Sequence, residues 1–510
     1  MQGRRLSGSV RRRWVARVAG GGLRTALVAA ILGGLALAGP AGPVSPAFAA
    51  VNDPALARKL GSVLADSRVS KARTAAAVYD IALGAEVYGY QPARATTPAS
   101  NTKIVTAIAA MHVLGPNYRF KTEAIRRGRI VNGEVQGRLY LKGYGDPTAR
   151  VSDYTSLARQ IAARGIRRFS GNLAVDASYF DAQRYNPNWS TSYASAYYAA
   201  QTSALTVAPN ADYDSGTIYV SYRPGSKGKK ARIGISPAAA ASVVTIVNNT
   251  TSGGSSNTIR VGRKYGTNTI TVSGTIPTNR GVTSVQITVD RPELYAGAVL
   301  RAELLKVGVR VHGPTVIATT PASGRTVLGT DTSMKLSSML KPFLKYSNNM
   351  HAEALTKAMS RKTGGPGSWP DGIAQTKAYL KSLGAPMDGI VLVDGSGLSR
   401  ATKLTPRALT RALAAVRKES WFGQFYAALP VAGNTNRSIG GTLRFRMNGT
   451  RAANNAHAKT GSLTGVTALS GYVTGRNGHL YVFSMLSQYS RTSPRPVENT
   501  LVITLANWNG

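Results

Sequence analysis

The sequence predicts an α+β fold in which a helix-rich, sheet-bearing body is interrupted by a long, mostly β insertion. Three features of the pattern lead there. Residues 53–114 read as a helix, a hairpin and a buried helix; after Arg119 the texture changes to short alternating strands; after about Leu328 helical periodicity returns and ends in a hairpin and a closing helix. With 510 residues, 43% of them hydrophobic, the chain can bury two or three separate cores.

At the N-terminus, residues 1–24 hold seven arginines and no acid. Thr25 to Gly39 is apolar and small, and Ala47-Phe48-Ala49 offers a small-residue cleavage site, the plan of an export signal over residues 1–49. Arg11-Arg12-Arg13-Trp14-Val15 also fits a twin-arginine pattern loosely, leaving both export routes open. No membrane span is expected once this segment is removed. The absence of cysteine excludes thiol catalysis, thiolate-bound metals, disulfides and a lipidated cysteine. Of 63 basic and 22 acidic residues, removal of residues 1–49 leaves 56 and 22, a net charge of +34 that favours anionic surroundings such as wall polymers. Lys227, Lys229, Lys230 and Arg232 form the densest cluster, but no aromatic-interleaved basic stripe suggests a nucleic-acid site.

Asp53-Pro54 opens an amphipathic helix to about Ala65, and Thr74 to Ile81 with Glu86 to Tyr90 makes a hairpin at Leu83-Gly84. From Ser100 to Leu114 the residues are apolar nearly all round, as in a helix inside a core. Arg138 to Lys142, Gly171 to Asp176 and Ser203 to Ala208 read as strands, and Tyr154 to Arg164 as a helix. Thr217 to Thr275 is almost purely β around a Gly/Ser-rich loop at Thr250 to Thr258; Ser284 to Asp290 is a further strand and Pro292 to Val307 a helix. Helices then cover Ser333 to Phe343, Met350 to Ser360, Gly372 to Leu383 and Thr405 to Arg417. Val466 to Thr474 and Leu480 to Ser487 form a hairpin, and a helix from about Pro496 to Trp508 closes the chain.

Chemistry concentrates in three short stretches. Ser100-Asn101-Thr102-Lys103 places a hydroxyl and an amine one helical turn apart at the head of the buried helix, and a serine needs such a base before it becomes a nucleophile. Ser347-Asn348-Asn349 precedes a helix, where hydroxyl and amide can face a cleft together. Lys459-Thr460-Gly461 enters an apolar strand, with Gly461 expected to let a substrate approach the backbone. Each stretch has a decoy. Ser338-Met339-Leu340-Lys341 repeats the first, but Pro342 should disfavour helix at Lys341; Ser255-Ser256-Asn257 repeats the second and Lys362-Thr363-Gly364 the third, the last with no strand to carry it. The order Ser-x-x-Lys, Ser-x-Asn, Lys-Thr-Gly, each on the element it needs, outweighs any single match.

Together with Gly143-Tyr144-Gly145-Asp146-Pro147, Asp394-Gly395-Ser396-Gly397-Leu398-Ser399-Arg400, Gly440-Gly441-Thr442-Leu443 and the run from Ala458 to Gly465, these stretches resemble the penicillin-binding D-alanyl-D-alanine carboxypeptidase/endopeptidases of the low-molecular-mass class C type, over essentially the whole mature chain. The resemblance implies a β-lactamase/transpeptidase-like domain from residues 50–125 and 325–510, an antiparallel sheet flanked by helices. The inserted domain is expected over residues 126–324, with a nested β-rich domain at about 212–280. Peptidoglycan stem peptides and β-lactams would be the partners, with no cofactor and no metal.

By the same resemblance Ser100 is the acylated nucleophile, Lys103 its base, Ser347 a proton relay and Asn349 a support for Lys103 and the substrate amide. Lys459 and Thr460 would meet the substrate carboxylate, and the amides of Ser100 and Ser462 would form the oxyanion hole. Leu398, Arg400 and Thr464 would line the peptide pocket. Burial and the like charge of Lys459 are both expected to depress the Lys103 pKa. Relatives often carry acids between a tryptophan and a Tyr-Tyr pair, whereas Trp189 and Tyr197-Tyr198 here bracket a segment without any. The five histidines show no metal spacing and no acid partner. A catalytically inert cationic wall-binding module and a β-lactamase-like hydrolase are the alternatives, the latter lacking so long a gap as the 247 positions between Ser100 and Ser347.

Overall fold

The computed structural model describes residues 53–510; the export signal expected at residues 1–49 lies outside the described residues. Asp53 accepts the Leu56 amide at 2.9 Å and so caps α1 (Pro54–Leu64), whose Leu56, Leu60 and Leu64 repeat at helical spacing on the buried face. The hairpin follows as β1 (Arg73–Asp80) and β2 (Ala85–Tyr90). One 3-10 turn, Ala99–Asn101, then precedes α2 (Thr102–Val113). Ser100 therefore stands in the turn ahead of the buried helix rather than inside it, because Ala99 adopts a φ of +46°, which an α-helix cannot propagate.

β3 (Lys121–Val131) and β4 (Glu134–Gly143) make a long antiparallel pair, followed by α3 (Val151–Ala162) and β5 (Leu173–Asp176). β3 is absent from the sequence expectation because Arg126, Arg127 and Arg129 mask its alternation, and the boundary expected at residue 126 falls inside it. Conversely, Ser203 to Ala208 is not a strand: it makes one bridge, Ala208 to Arg150, and its Leu205 and Val207 are apolar because they are packed in a core, not because they pair.

Six strands come next: β6 (Thr217–Arg223), β7 (Arg232–Ser236), β8 (Thr245–Ser252), β9 (Arg260–Arg263), β10 (Thr269–Ile276) and β11 (Thr283–Thr288). They form two three-stranded sheets, ordered β11-β6-β7 and β9-β10-β8, so the lobe runs past residue 280 to include β11. α4 (Pro292–Lys306) leads back to β12 (Thr326–Thr332), which pairs with β3. The β3–β4 sheet, α3 and α4 enclose one core, which includes Leu141, Leu157, Phe169, Val299 and Leu328.

The helices α5 (Leu336–Lys345), α6 (Asn349–Lys362), α7 (Trp369–Ser382) and α8 (Pro406–Ala415) follow. Pro342 lies inside α5, against the expectation that it would break helix at Lys341: Met339, Leu340, Phe343 and Leu344 are buried on one face, and that burial outweighs the single hydrogen bond proline cannot make. Ser338 and Lys341 are exposed on the solvent side of α5, so this decoy has no buried base. The chain ends with β13 (His457–Leu463), β14 (Val466–Thr474), β15 (Leu480–Gln488) and α9 (Arg495–Asn507).

β13-β14-β15-β1-β2 form a five-stranded antiparallel sheet that joins the two ends of the described chain, Arg73 opposite Gln488 and Asp80 opposite Tyr481. Alternation sorts its side chains: Ala468, Tyr472, Val482 and Leu486 face α2 and the helices after residue 335, while Leu469, Val473, Phe483 and Met485 face α1 and α9. The sheet thus has a helical layer on each side, with β13 as an edge.

Candidate active site

The turn before α2, the turn before α6 and the edge strand β13 meet at one cleft. Lys103 is fully buried, and its Nζ donates to Ser100 Oγ at 2.9 Å, Asn349 Oδ1 at 2.6 Å and the Ser396 carbonyl at 2.9 Å. Burial pushes its pKa down to about 7, against the opposing pull of the Glu353 and Asp394 carboxylates. At neutral pH a large fraction of this amine is therefore free to take a proton from the Ser100 hydroxyl it touches.

Lys459, also fully buried, donates to Ser347 Oγ at 2.8 Å and to the Thr460 carbonyl at 2.9 Å. Burial, and secondarily the charge on Lys103, hold it well below the usual lysine range. The repulsion thus falls on the other partner from the one expected from sequence: the charge on Lys103 lowers Lys459, while burial is the largest cause of the depression at Lys103, to which Lys459 does not contribute. Ser347 has a φ of +60°, rare for a non-glycine residue, and turns its hydroxyl toward Lys459 just before α6 begins.

A second layer fixes these groups. Asp394 accepts the amides of Gly397 (3.1 Å) and Ser399 (2.7 Å), Thr402 Oγ1 (2.8 Å) and Trp189 Nε1 (2.9 Å). Glu353, buried on α6 and pushed up to about 7 by that burial, accepts the Gly395 and Ser396 amides and Trp369 Nε1. Between them they tie down the 394–399 loop, which presents the Ser396 carbonyl to Lys103. Gly397, at a φ of +75°, passes so close to the nucleophile turn that a Cβ there would lie 1.9 Å from the Ala99 carbonyl oxygen.

The cleft has a volume of about 490 Å³, and Ser100, Ser347, Asn349, Leu398, Thr460, Ser462 and Thr464 line it, with Lys103 and Lys459 directly beneath. Gly461 and Arg400 are not among the lining residues. Gly461 makes room for the protein's own backbone, since a Cβ there would meet the Pro98 carbonyl at 2.5 Å; the substrate approach expected of it is corrected accordingly. Arg400 donates to the Thr464 carbonyl and so shapes the cleft through that residue. Nine lining residues were not foreseen as site residues: Tyr193, Tyr197, Tyr198, Tyr346, Gly397, Thr442, Arg446, Leu463 and Arg495. Thr442, whose hydroxyl meets Thr460 Oγ1 at 2.8 Å, sits in the conspicuous Gly440-Gly441-Thr442-Leu443 turn. Arg495 reaches Ser462 Oγ at 2.9 Å from the start of α9, and nothing in its sequence context marks it. None of the cleft-lining residues is acidic. Of the histidines expected to lack an acid partner, His479 has one, Asp80 at 2.8 Å, far along the sheet.

The chain is similar to known proteins over most of its length. A D-alanyl-D-alanine carboxypeptidase of Actinomadura sp. is 37% identical over 460 residues, covering 89% of this chain and 85% of that protein. The D-alanyl-D-alanine carboxypeptidase DacB of Haemophilus influenzae is 25% identical over 388 residues, covering 76% of this chain and 79% of its own length. The crystal structure of penicillin binding protein 4 (dacB) from Haemophilus influenzae shares the fold, with a TM-score of 0.77 at 23% identity, covering 88% of this chain and 99% of that one. The model of the D-Ala-D-Ala carboxypeptidase 3 (S13) family matches residues 56–508, nearly all of the described chain, and with the Actinomadura relative it shows that this protein belongs to that family.

Proposed function

We propose that this protein is an exported serine D-alanyl-D-alanine carboxypeptidase acting on peptidoglycan stem peptides, with endopeptidase action on cross-linked peptides open to the same site, and that penicillins acylate it. Family membership and the names of the relatives support the reaction class. The observation that carries the residue roles is the contact of a buried, half-neutral Lys103 with both Ser100 and Asn349.

In this reading Lys103 Nζ takes the Ser100 proton as Oγ adds to the carbonyl of the terminal D-Ala-D-Ala bond. The tetrahedral oxyanion is met by the Ser100 and Ser462 amides, the latter on the open edge of β13, a device often worth about 10² to 10³ in rate. Collapse breaks the C–N bond, and the proton reaches the departing D-alanine nitrogen through Ser347, which Lys459 orients. Water then repeats the addition, Lys103 again accepting a proton, and releases the shortened peptide from Ser100. Thr460, Thr442, Ser462 and Arg495 suit the substrate carboxylate, Asn349 its amide, and Leu398, Arg400 and Thr464 the peptide side chain. A β-lactam carbonyl would enter the same path and stop at the ester.

Residues 50–125 and 325–510 are proposed as the catalytic domain and 126–324 as its insert, and the +34 charge as a general attraction to anionic wall polymers. No helix among the described residues is long and apolar enough to cross a membrane. The test is D-alanine release from an acylated D-Ala-D-Ala peptide by the mature chain. Turnover should vanish in Ser100→Ala and fall about 10² to 10⁴-fold in Lys103→Ala; an inactive wild type, as in a wall-binding module, or a fully active Ser100→Ala would contradict the proposal.

A further inference from the structure

The two three-stranded sheets of the nested lobe are oriented alike. Their one end, at Thr217, Ser236, Arg263, Thr269 and Thr288, abuts the body, where Arg263 donates to Ala194 and Thr288 and exchanges hydrogen bonds with Ser195, close to the tyrosines of the cleft. The other end is a tip made of three loops, 224–231, 253–259 and 277–282. The amide of Gly228 donates to the Ser252 carbonyl, that of Ser252 to Lys229, and that of Gly253 to Ile276, so these loops form one continuous surface.

Charge is segregated onto that tip. No acidic residue occurs between Asp214 and Asp290, while nine basic ones do. Seven belong to the tip and all seven are exposed: Lys227, Lys229 and Lys230 in the first loop, Arg223 and Arg232 at its base, Arg260 at the start of β9, and Arg280 in the third loop. Arg223 and Arg232 stand directly opposite each other across β6 and β7, an arrangement that repels and weakens a sheet. None of the seven is in an ion pair with any of the described residues. The neighbouring surface is hydroxyl-rich: Thr251, Thr258 and Thr275 are exposed, and the hydroxyls of the last two are 2.9 Å apart.

We propose that this tip is a docking surface for a phosphate-bearing anionic polymer of the cell wall, distinct from the peptide cleft and independent of the chemistry at Ser100. Two facing guanidinium forks and three exposed ammonium groups fit the repeated tetrahedral phosphates of such a chain, and the threonine hydroxyls fit its sugar or polyol units. Eight residues of β8 span roughly 25 Å, so the bound polymer would run about one strand length from the cleft and hold it over the peptide layer.

The test is co-sedimentation of the mature protein with bacterial wall fragments carrying phosphodiester-linked polymers, and with the same fragments stripped of them by hydrofluoric acid. The variant is Lys227→Glu/Lys229→Glu/Lys230→Glu. Its control, Arg58→Glu/Lys59→Glu/Lys71→Glu, makes the same change in net charge on exposed residues elsewhere. The tip variant should lose at least about tenfold in wall affinity, the control should lose much less, and stripped fragments should bind all three proteins equally weakly. A triple change to serine at the tip should give an intermediate loss, and penicillin acylation should be unchanged in every variant. Equal losses in tip variant and control would assign the effect to net charge alone and overturn the proposal. Undiminished binding to stripped fragments, or tighter binding to a short RNA than to inorganic polyphosphate of equal charge, would overturn it as well.

Discussion

Lys103 and Lys459 show how the same residue type takes two roles at a site from its surroundings alone. Burial lowers the pKa of both amines, but at Lys103 the Glu353 and Asp394 carboxylates oppose it and leave a pKa of about 7, whereas at Lys459 the charge on Lys103 adds to it. These causes give an expectation at the residue scale. In Lys459→Met the rising limb of kcat/KM against pH should stay near 7, because burial is the largest cause of the Lys103 shift and Lys459 does not contribute to it, while the rate falls about 10² to 10⁴-fold as Ser347 loses its orienting donor. Glu353→Gln should move that limb to lower pH by up to about one unit: the carboxylate favours protonated Lys103, so its removal makes the amine easier to deprotonate. A limb displaced in Lys459→Met, or fixed in Glu353→Gln, would reverse these assignments, with pre-steady-state acylation as the readout.

At the scale of elements, the site depends on turns held in uncommon conformations by neighbours distant in sequence. Ala99 and Ser347 both have positive φ, and the 394–399 loop wedges Gly397 under the first of them. Gly397→Ala should therefore cost about 2–4 kcal/mol and abolish acylation while the fold survives, seen as a lowered thermal midpoint with retained circular dichroism; unchanged labelling would show that the turn tolerates displacement. This dependence also explains what the sequence revealed. The three ordered motifs marked Ser100, Lys103, Ser347, Asn349 and Lys459, because each combines a reactive side chain with an element start recognisable by its periodicity. Gly461 was assigned the wrong neighbour, since a glycine records a close approach without saying whether backbone or ligand makes it. Arg495 and Tyr193 reach the cleft only through tertiary packing, and β3 was hidden because its pairing with β4 and β12, not its composition, makes it a strand.

At the scale of the whole molecule, the region proposed as the insert reaches the cleft. Trp189 donates to Asp394, Asn186 to the Val393 carbonyl, and Asn349 to the Tyr198 carbonyl, so the segment of residues 186–198 braces the loop that faces Lys103 and also lines the cleft. Trp189→Phe, which keeps an apolar ring but removes the donor, should cost about 1–3 kcal/mol and lower kcat more than it raises KM; an unaltered kcat would reduce this contact to packing. Because no acid lines the cleft, acetylating a free amine on the stem-peptide side chain should leave kcat/KM within about threefold, whereas a carboxylate partner for that amine would make the loss about tenfold or more. The central claim, a serine ester formed at Ser100 with Lys103 as base, is tested most directly by the rate and position of labelling with a tagged penicillin across pH 5 to 9. The account predicts label on the tryptic fragment of residues 95–103, with a rate that climbs through about pH 7 and disappears in Ser100→Ala. Label on any other serine, or a rate indifferent to pH through that range, would contradict it.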